Sequence, residues 1–178
     1  MGKQLVIALG GNALGNTPEE QKKAILSAAD NIVNLVRDGH RIVIVHGNGP
    51  QVGMINLAFE LAGGQNRNVA EMPFAECCAM SQGYIGFHLQ NTLQNSFFAR
   101  GMSTHVSTAI TQVVVDRHDP AFTNPTKPVG LFYTEDEAKA IAKDKAYSFI
   151  EDSGRGFRRV VASPDPIDIK EKGTIRCL

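Results

Sequence analysis

The sequence predicts an α/β chain: a three-layer αβα arrangement around an open, mostly parallel sheet, with a small hairpin-containing lid attached. Three observations predict it. Leu5-Val6-Ile7-Ala8-Leu9 is a continuous apolar run that stops at Gly10-Gly11-Asn12. A second β-branched run, residues 41–46, stops at Gly47-Asn48-Gly49-Pro50. Between them lies a segment whose apolar residues recur at helical spacing. Strand, helix and parallel strand form a βαβ unit, which places both glycine turns on one carboxyl edge of the sheet, where open α/β sheets bind ligands.

The elements follow in order. Unbroken apolar character marks the first run as a strand buried on both faces. Thr17 is the N-cap of the first helix, with Pro18 at its first position and Glu19 and Glu20 in its first turn. Ile25, Ala28, Ala29, Ile32, Leu35 and Val36 form its apolar face, and Asp38-Gly39 closes it. A helix also follows the second glycine turn. Residues 73–98 are helical in pattern through Ala75, Ala79, Met80, Ile85, Leu89 and Leu93, with Gly83 and Gly86 permitting close packing against a helix or a partner subunit. Residues 104–115 are rich in β-branched side chains and read as a strand or strand pair. Pro120, Pro125, Pro128 and Gly130 make residues 119–130 a loop or the entry to a small excursion from the main sheet. Thr134 caps a short helix that runs to about Lys143, and residues 147–150 and 157–161 flank a turn at 151–156 as a hairpin. After Ser163-Pro164-Asp165-Pro166, residues 167–178 begin a helix with Ile175, Cys177 and Leu178 on its apolar face and no C-cap. The chain therefore reads as one domain, residues 1–178, with a lid at about 117–162, cut inside its last element.

Composition excludes several classes. At 178 residues with 43% hydrophobic and 20% charged side chains, the chain suits one globular core and neither disorder nor a fibrous repeat. Lys plus Arg and Asp plus Glu both number 18, so the broad basic field of a nucleic-acid binder is missing. No run reaches the ~20 apolar residues that span a bilayer, so no membrane partner is expected. Cys77, Cys78 and Cys177 lack zinc-ligand spacing and give no disulfide framework, and a reducing cytoplasm is the expected compartment.

The chemistry concentrates at the two glycine turns. Gly10 and Gly11 let the main chain approach a ligand closely, and Asn12 and Asn48 offer amide donors without adding charge. Each turn precedes a helix whose N-terminus favours an anion, phosphate in particular. A single Gly-Gly-Asn is better explained as an ordinary turn; two such turns after two strands shift the balance toward a binding site. The sequence has no G-x-x-x-x-G-K-[ST] and no G-x-G-x-x-G after the first strand, which disfavours P-loop enzymes and dinucleotide oxidoreductases. Arg155, Arg158 and Arg159 offer guanidinium groups, although strand alternation turns one of the adjacent pair to solvent. His46 is expected to be a hydrogen-bonded structural residue. Asp116, His118 and Asp119 resemble a metal cluster only superficially, and no protein metal site is expected.

Five blocks resemble the carbamate kinases of the amino-acid kinase superfamily: residues 8–14, 46–53, 81–86, 124–130 and 154–164. The resemblance implies an amino-acid kinase-like fold, of which this chain would carry the half that binds the small substrate, with the C-terminal nucleotide domain absent. In related acetylglutamate, aspartate and nucleoside-monophosphate kinases a lysine stands where this chain has Ala8. By resemblance its charge role passes to Lys127, in Asn124-Pro125-Thr126-Lys127-Pro128, as the catalytic residue. The substrate and phosphate contacts implied are Gly10, Gly11, Asn12, Gly47, Asn48, Gly49, Gly53 and Arg158, with carbamate or carbamoyl phosphate as ligand and a homodimer as assembly. Mg-ATP or Mg-ADP serves the full-length family, its metal held largely by nucleotide phosphates, and neither is expected to bind this chain well. The implied reaction is reversible phosphoryl transfer between ATP or ADP and carbamate or carbamoyl phosphate, with the chain inactive alone. Two alternatives stay open: a non-catalytic dimerising remnant, or half of an amino-acid kinase for another acid.

Overall fold

A computed structural model describes residues 2–10 and 14–177. Strand β1 (Gln4–Leu9) lies parallel to β2 (Arg41–His46), with Leu5 beside Ile42, Ile7 beside Ile44 and Ala8 beside Val45. Helix α1 (Pro18–Arg37) joins them. Its entry is a capping box in which Thr17 accepts from the Glu20 amide and Glu20 reaches back to Thr17, and Gly39 leaves it at φ 87°. Helix α2 (Gly49–Gln65) and helix α3 (Phe74–Phe98) follow.

The core sits on one face of the parallel pair. Ala29, Ile32 and Val33 of α1 meet Leu93 and Phe97 of α3, with Ile7, Ile42 and Ile44 of the sheet packed beneath. A second cluster joins Leu14, Ile25, Ile85 and Leu89. The opposite sheet face is open, with Val6 68% and Val45 46% exposed and Ala8 exposed between them. The apolar runs thus read as doubly buried but are covered once. The buried stripe of α3 also differs from the expected one: Cys77, Ser81, Ile85, Leu89, Leu93 and Phe97 recur every four residues, whereas Ala75 and Ala79 are exposed. Ser81 and Cys77 occupy the places where an apolar search looks for leucine or valine.

The expected strand over residues 104–115 contracts to β3 (Val113–Val115), which pairs antiparallel with β7 (Pro166–Ile169). The stretch before it runs along α3, and two glutamines of that helix stand in for ladder partners. Gln94 donates to the Thr104 carbonyl at 2.7 Å and accepts from the Val106 amide at 3.0 Å. Gln82 donates to the Thr111 carbonyl at 3.1 Å and accepts from its amide at 2.8 Å. Backbone groups packed against a helix need partners, and side-chain amides offer both a donor and an acceptor. Gly86 of α3 makes this approach feasible, since a Cβ there would stand 2.2 Å from the Thr108 methyl. The close packing is therefore against an extended segment, and Gly83 faces open space.

The proline-rich stretch is only partly a loop. After a 3₁₀ turn at Pro120–Phe122, Lys127 is the first residue of strand β4 (Lys127–Tyr133), with Pro128 on the edge strand where a missing N–H is tolerated. Helix α4 (Glu135–Lys145) has a second capping box, Thr134 with Glu137. Strands β5 (Ser148–Glu151) and β6 (Phe157–Val161) form the expected hairpin, giving an antiparallel sheet of order β4-β6-β5. The expected C-terminal helix is preceded by strand β7 and spans only α5 (Lys172–Cys177). No helix among the described residues is long and apolar enough to cross a membrane.

Candidate functional site

The carboxyl ends of β1 and β2 are locked in step, since the Gly47 amide donates to the Leu9 carbonyl at 3.0 Å. Gln51, in the first turn of α2, donates to the Gly15 carbonyl at 2.8 Å and ties that helix to the loop after β1. Beside these ends a cleft of about 780 Å³ opens between the start of α2, the start of α3 and strands β4 and β6. Gly10, Gly47, Asn48, Gly49, Gly53, Lys127 and Arg158 all line it. Seven of the nine site residues expected from sequence thus come together, from segments as much as 148 positions apart in the chain. Gly11 and Asn12 lie outside the described residues, and Ala8 is on the open sheet face rather than in the cleft wall.

Three glycines of the wall have no steric reason among the described residues to be glycine. Among the described residues, a Cβ built at Gly10, Gly49 or Gly53 meets nothing within 4 Å, and none of the three has a positive φ. Their missing side chains leave room in the cleft itself. The helix geometry adds donors: the first N–H groups of a helix lack intrahelical partners, and the N-cap residue Asn48 makes no side-chain capping bond to them. Instead its Nδ2 donates to Ser81 Oγ at 2.9 Å.

Charge in the cleft is of one sign. Lys127 is exposed and forms no ion pair among the described residues, and no Asp or Glu belongs to the described lining. Arg158 donates through Nη1 to Asp152 at 3.1 Å and lies 5.1 Å from the Phe132 ring centre, while its buried Nε has no partner among the described residues. That guanidinium holds the Asp152 carboxyl below the usual carboxylate range. The adjacent arginines do point to opposite faces, but neither is lost to solvent. Arg159 pairs with Glu60 of α2 at 3.1 Å and covers the Tyr147 ring at 3.6 Å, bracing the small sheet against α2.

Other expectations resolve into structural roles. Asp116 accepts from the His118 amide, and Asp119 accepts from the Ala121 and Asp165 amides, so these residues build turns. His46 lies with Nδ1 3.1 Å from the Gly47 carbonyl. Sequence reasoning missed Phe74 and Cys78, which line the cleft from α3, and Ser81 behind Asn48. Burial pushes the Cys78 thiol up, against the opposing pull of the Asn48 hydrogen bond and the Lys127 charge. The spacing 74, 78, 81 is one helical face, but its side chains carry no motif that marks them as a wall.

A profile of the amino acid kinase family matches residues 3–148. Over 178 residues the chain is 52% identical to the carbamate kinase-like protein YqeA of Escherichia coli, covering 100% of this chain and 57% of that protein. It is 53% identical over 175 residues to a carbamate kinase of Staphylococcus epidermidis, covering 98% and 56%. Among solved structures, the carbamate kinase of Giardia lamblia bound to AMP-PNP superposes with a TM-score of 0.87 at 44% identity, covering 99% of this chain and 57% of that one. The chain spans little more than half the length of these relatives. It belongs to the amino acid kinase family, and it is similar to carbamate kinases over 98–100% of its length.

Proposed function

We propose that the cleft is a small-anion site of a carbamate kinase, holding carbamate or carbamoyl phosphate for reversible phosphoryl transfer with ATP or ADP. The observation that carries this reading is the pairing of open-space glycines, Gly10, Gly49 and Gly53, with a cationic wall free of carboxylates. Phosphoryl transfer asks a protein mainly to position the reactants and neutralise the moving oxygens. In the forward direction an oxygen of carbamate attacks the terminal phosphorus of ATP, and the bond to the ADP oxygen breaks as the new bond forms. The backbone of Gly10 and Gly49 and the amide of Asn48 orient the small substrate. Lys127 neutralises charge on the transferring group, and the Arg158 guanidinium supplies a second positive charge in the cleft wall. By resemblance Gly11 and Asn12 belong to the same cradle.

Residues 117–162 act as a lid in this reading, with the Arg159–Glu60 pair as its contact with α2. Mg-ATP or Mg-ADP is assigned to the remaining length of the family fold, because the lining described here fits a small anion and offers no carboxylate for a metal. The assembly proposed is a homodimer, for which Phe87 and Phe98 of α3, 62% and 55% exposed, offer an apolar surface. The test is ATP formation from carbamoyl phosphate and Mg-ADP, measured on this chain and on a form extended by the remainder of the relatives' length. Activity in the extended form supports the reading. Inactivity with carbamoyl phosphate, together with phosphorylation of another acid such as acetylglutamate, contradicts it.

A further inference from the structure

We propose that Ser81 is a positioning residue for the anion cleft: from inside α3 it holds the side chain of Asn48 away from the N–H groups that open α2. The proposal rests on the reading that the cleft binds carbamoyl phosphate. Asparagine is a preferred N-cap because its Oδ1 accepts from the second or third amide of the helix. Asn48 holds the N-cap position of α2 without doing so, with φ −141° and ψ 11° rather than the usual extended backbone. Its Nδ2 is committed elsewhere, to Ser81 Oγ at 2.9 Å.

The orientation of that bond follows from counting hydrogens. Ser81 has one hydroxyl hydrogen, and it donates to the Cys78 carbonyl at 2.6 Å. Oγ is then an acceptor toward Asn48, so the amide must present Nδ2 and not Oδ1. Ser81 is fully buried in a stripe between Cys77 and Ile85, where a hydroxyl is unfavourable without partners. Both its partners are now identified, and both belong to residues that line the cleft. Held this way, Asn48 leaves the first N–H groups of α2 without a side-chain cap, and Gly49, whose amide opens the helix, lies in the cleft lining; Pro50 after it has no N–H. With Ser81 reduced to alanine, the Asn48 amide loses its Oγ acceptor and keeps only the Cys78 thiol, a weaker partner, so its Oδ1 can turn onto the N–H groups of its own helix and compete with the ligand.

The test is a carbamoyl phosphate titration of the whole chain followed by backbone amide NMR at Gly10, Gly47 and Gly49, in wild type, Ser81→Ala, Asn48→Ala and the double variant. Ser81→Ala is expected to bind about tenfold more weakly, as loss of about one hydrogen bond's worth of organisation implies, with slower hydrogen exchange at the Gln51 amide as Asn48 caps it. In the Asn48→Ala background the same substitution is expected to cost nothing further. An equal loss in both backgrounds assigns Ser81 to general folding and overturns the proposal, as does unchanged binding in Ser81→Ala. If wild type itself shows no saturable shifts, the site reading fails first, and the positioning role falls with it.

Discussion

Gly53→Ala separates a glycine kept for folding from one kept for a ligand. Gly53 lies inside α2, has no positive φ, and a methyl built there meets no atom within 4 Å. Alanine is favoured over glycine in a helix interior by about 0.5–1 kcal/mol. For a chain of this size each kcal/mol moves the melting temperature by about 2–4 °C, so the variant should melt roughly 1–4 °C higher. The same methyl projects into the cleft wall, and carbamoyl phosphate affinity should fall at least about tenfold, a change of ~1.4 kcal/mol. Thermal unfolding by circular dichroism and titration calorimetry on one preparation read both effects. A lower melting temperature would refute the claim that Gly53 is sterically free. Unchanged affinity would refute its place in the binding wall.

Glu60→Gln should destabilise the junction of the small sheet with α2 by about 1–2 kcal/mol, since it removes a charge from a bond between half-buried partners and leaves Arg159 uncompensated; urea unfolding measures it, and no loss would mean that solvent screens the pair. Burial depresses the pKa of His88, which is 6% exposed, with Lys22 adding to the effect and Glu19 opposing it. The unfolded chain therefore takes up the proton first, near the ordinary value of about 6.5. His88 contributes stability that is present above that pH and is lost as pH falls toward the depressed folded value. His88→Gln should flatten the decline in stability between about pH 7 and pH 5, and identical slopes would contradict the assignment.

What was legible in the sequence were features set by local chemistry. Thr17-Pro18-Glu19-Glu20 and Thr134-Glu135-Asp136-Glu137 carry their capping partners three residues away, so both helix starts were visible. The two glycine turns were placed on one edge by βαβ geometry alone, which brought Gly10 and Gly47 together. Lys127 needed the family resemblance, because nothing local says that a lysine in a proline-rich stretch begins a strand at the cleft. Long-range substitutions of side chain for backbone were invisible: Gln82 and Gln94 satisfy residues 104–111, so β-branched residues there suggested a ladder that does not form. The same holds for Ser81, whose meaning depends on Asn48, 33 positions away.

The central claim, that a glycine-walled cationic cleft takes carbamoyl phosphate, is tested most directly by titrating that compound into this chain and into Lys127→Met while following the backbone amides of Gly10, Gly47 and Gly49. Lys127 is exposed and makes no ion pair among the described residues, so its loss should leave the fold intact. Saturable shifts are expected at the three glycines in wild type, weakened at least about tenfold in the variant through loss of a charge-assisted contact. Absence of shifts in wild type, or equal affinity in both chains, would contradict it.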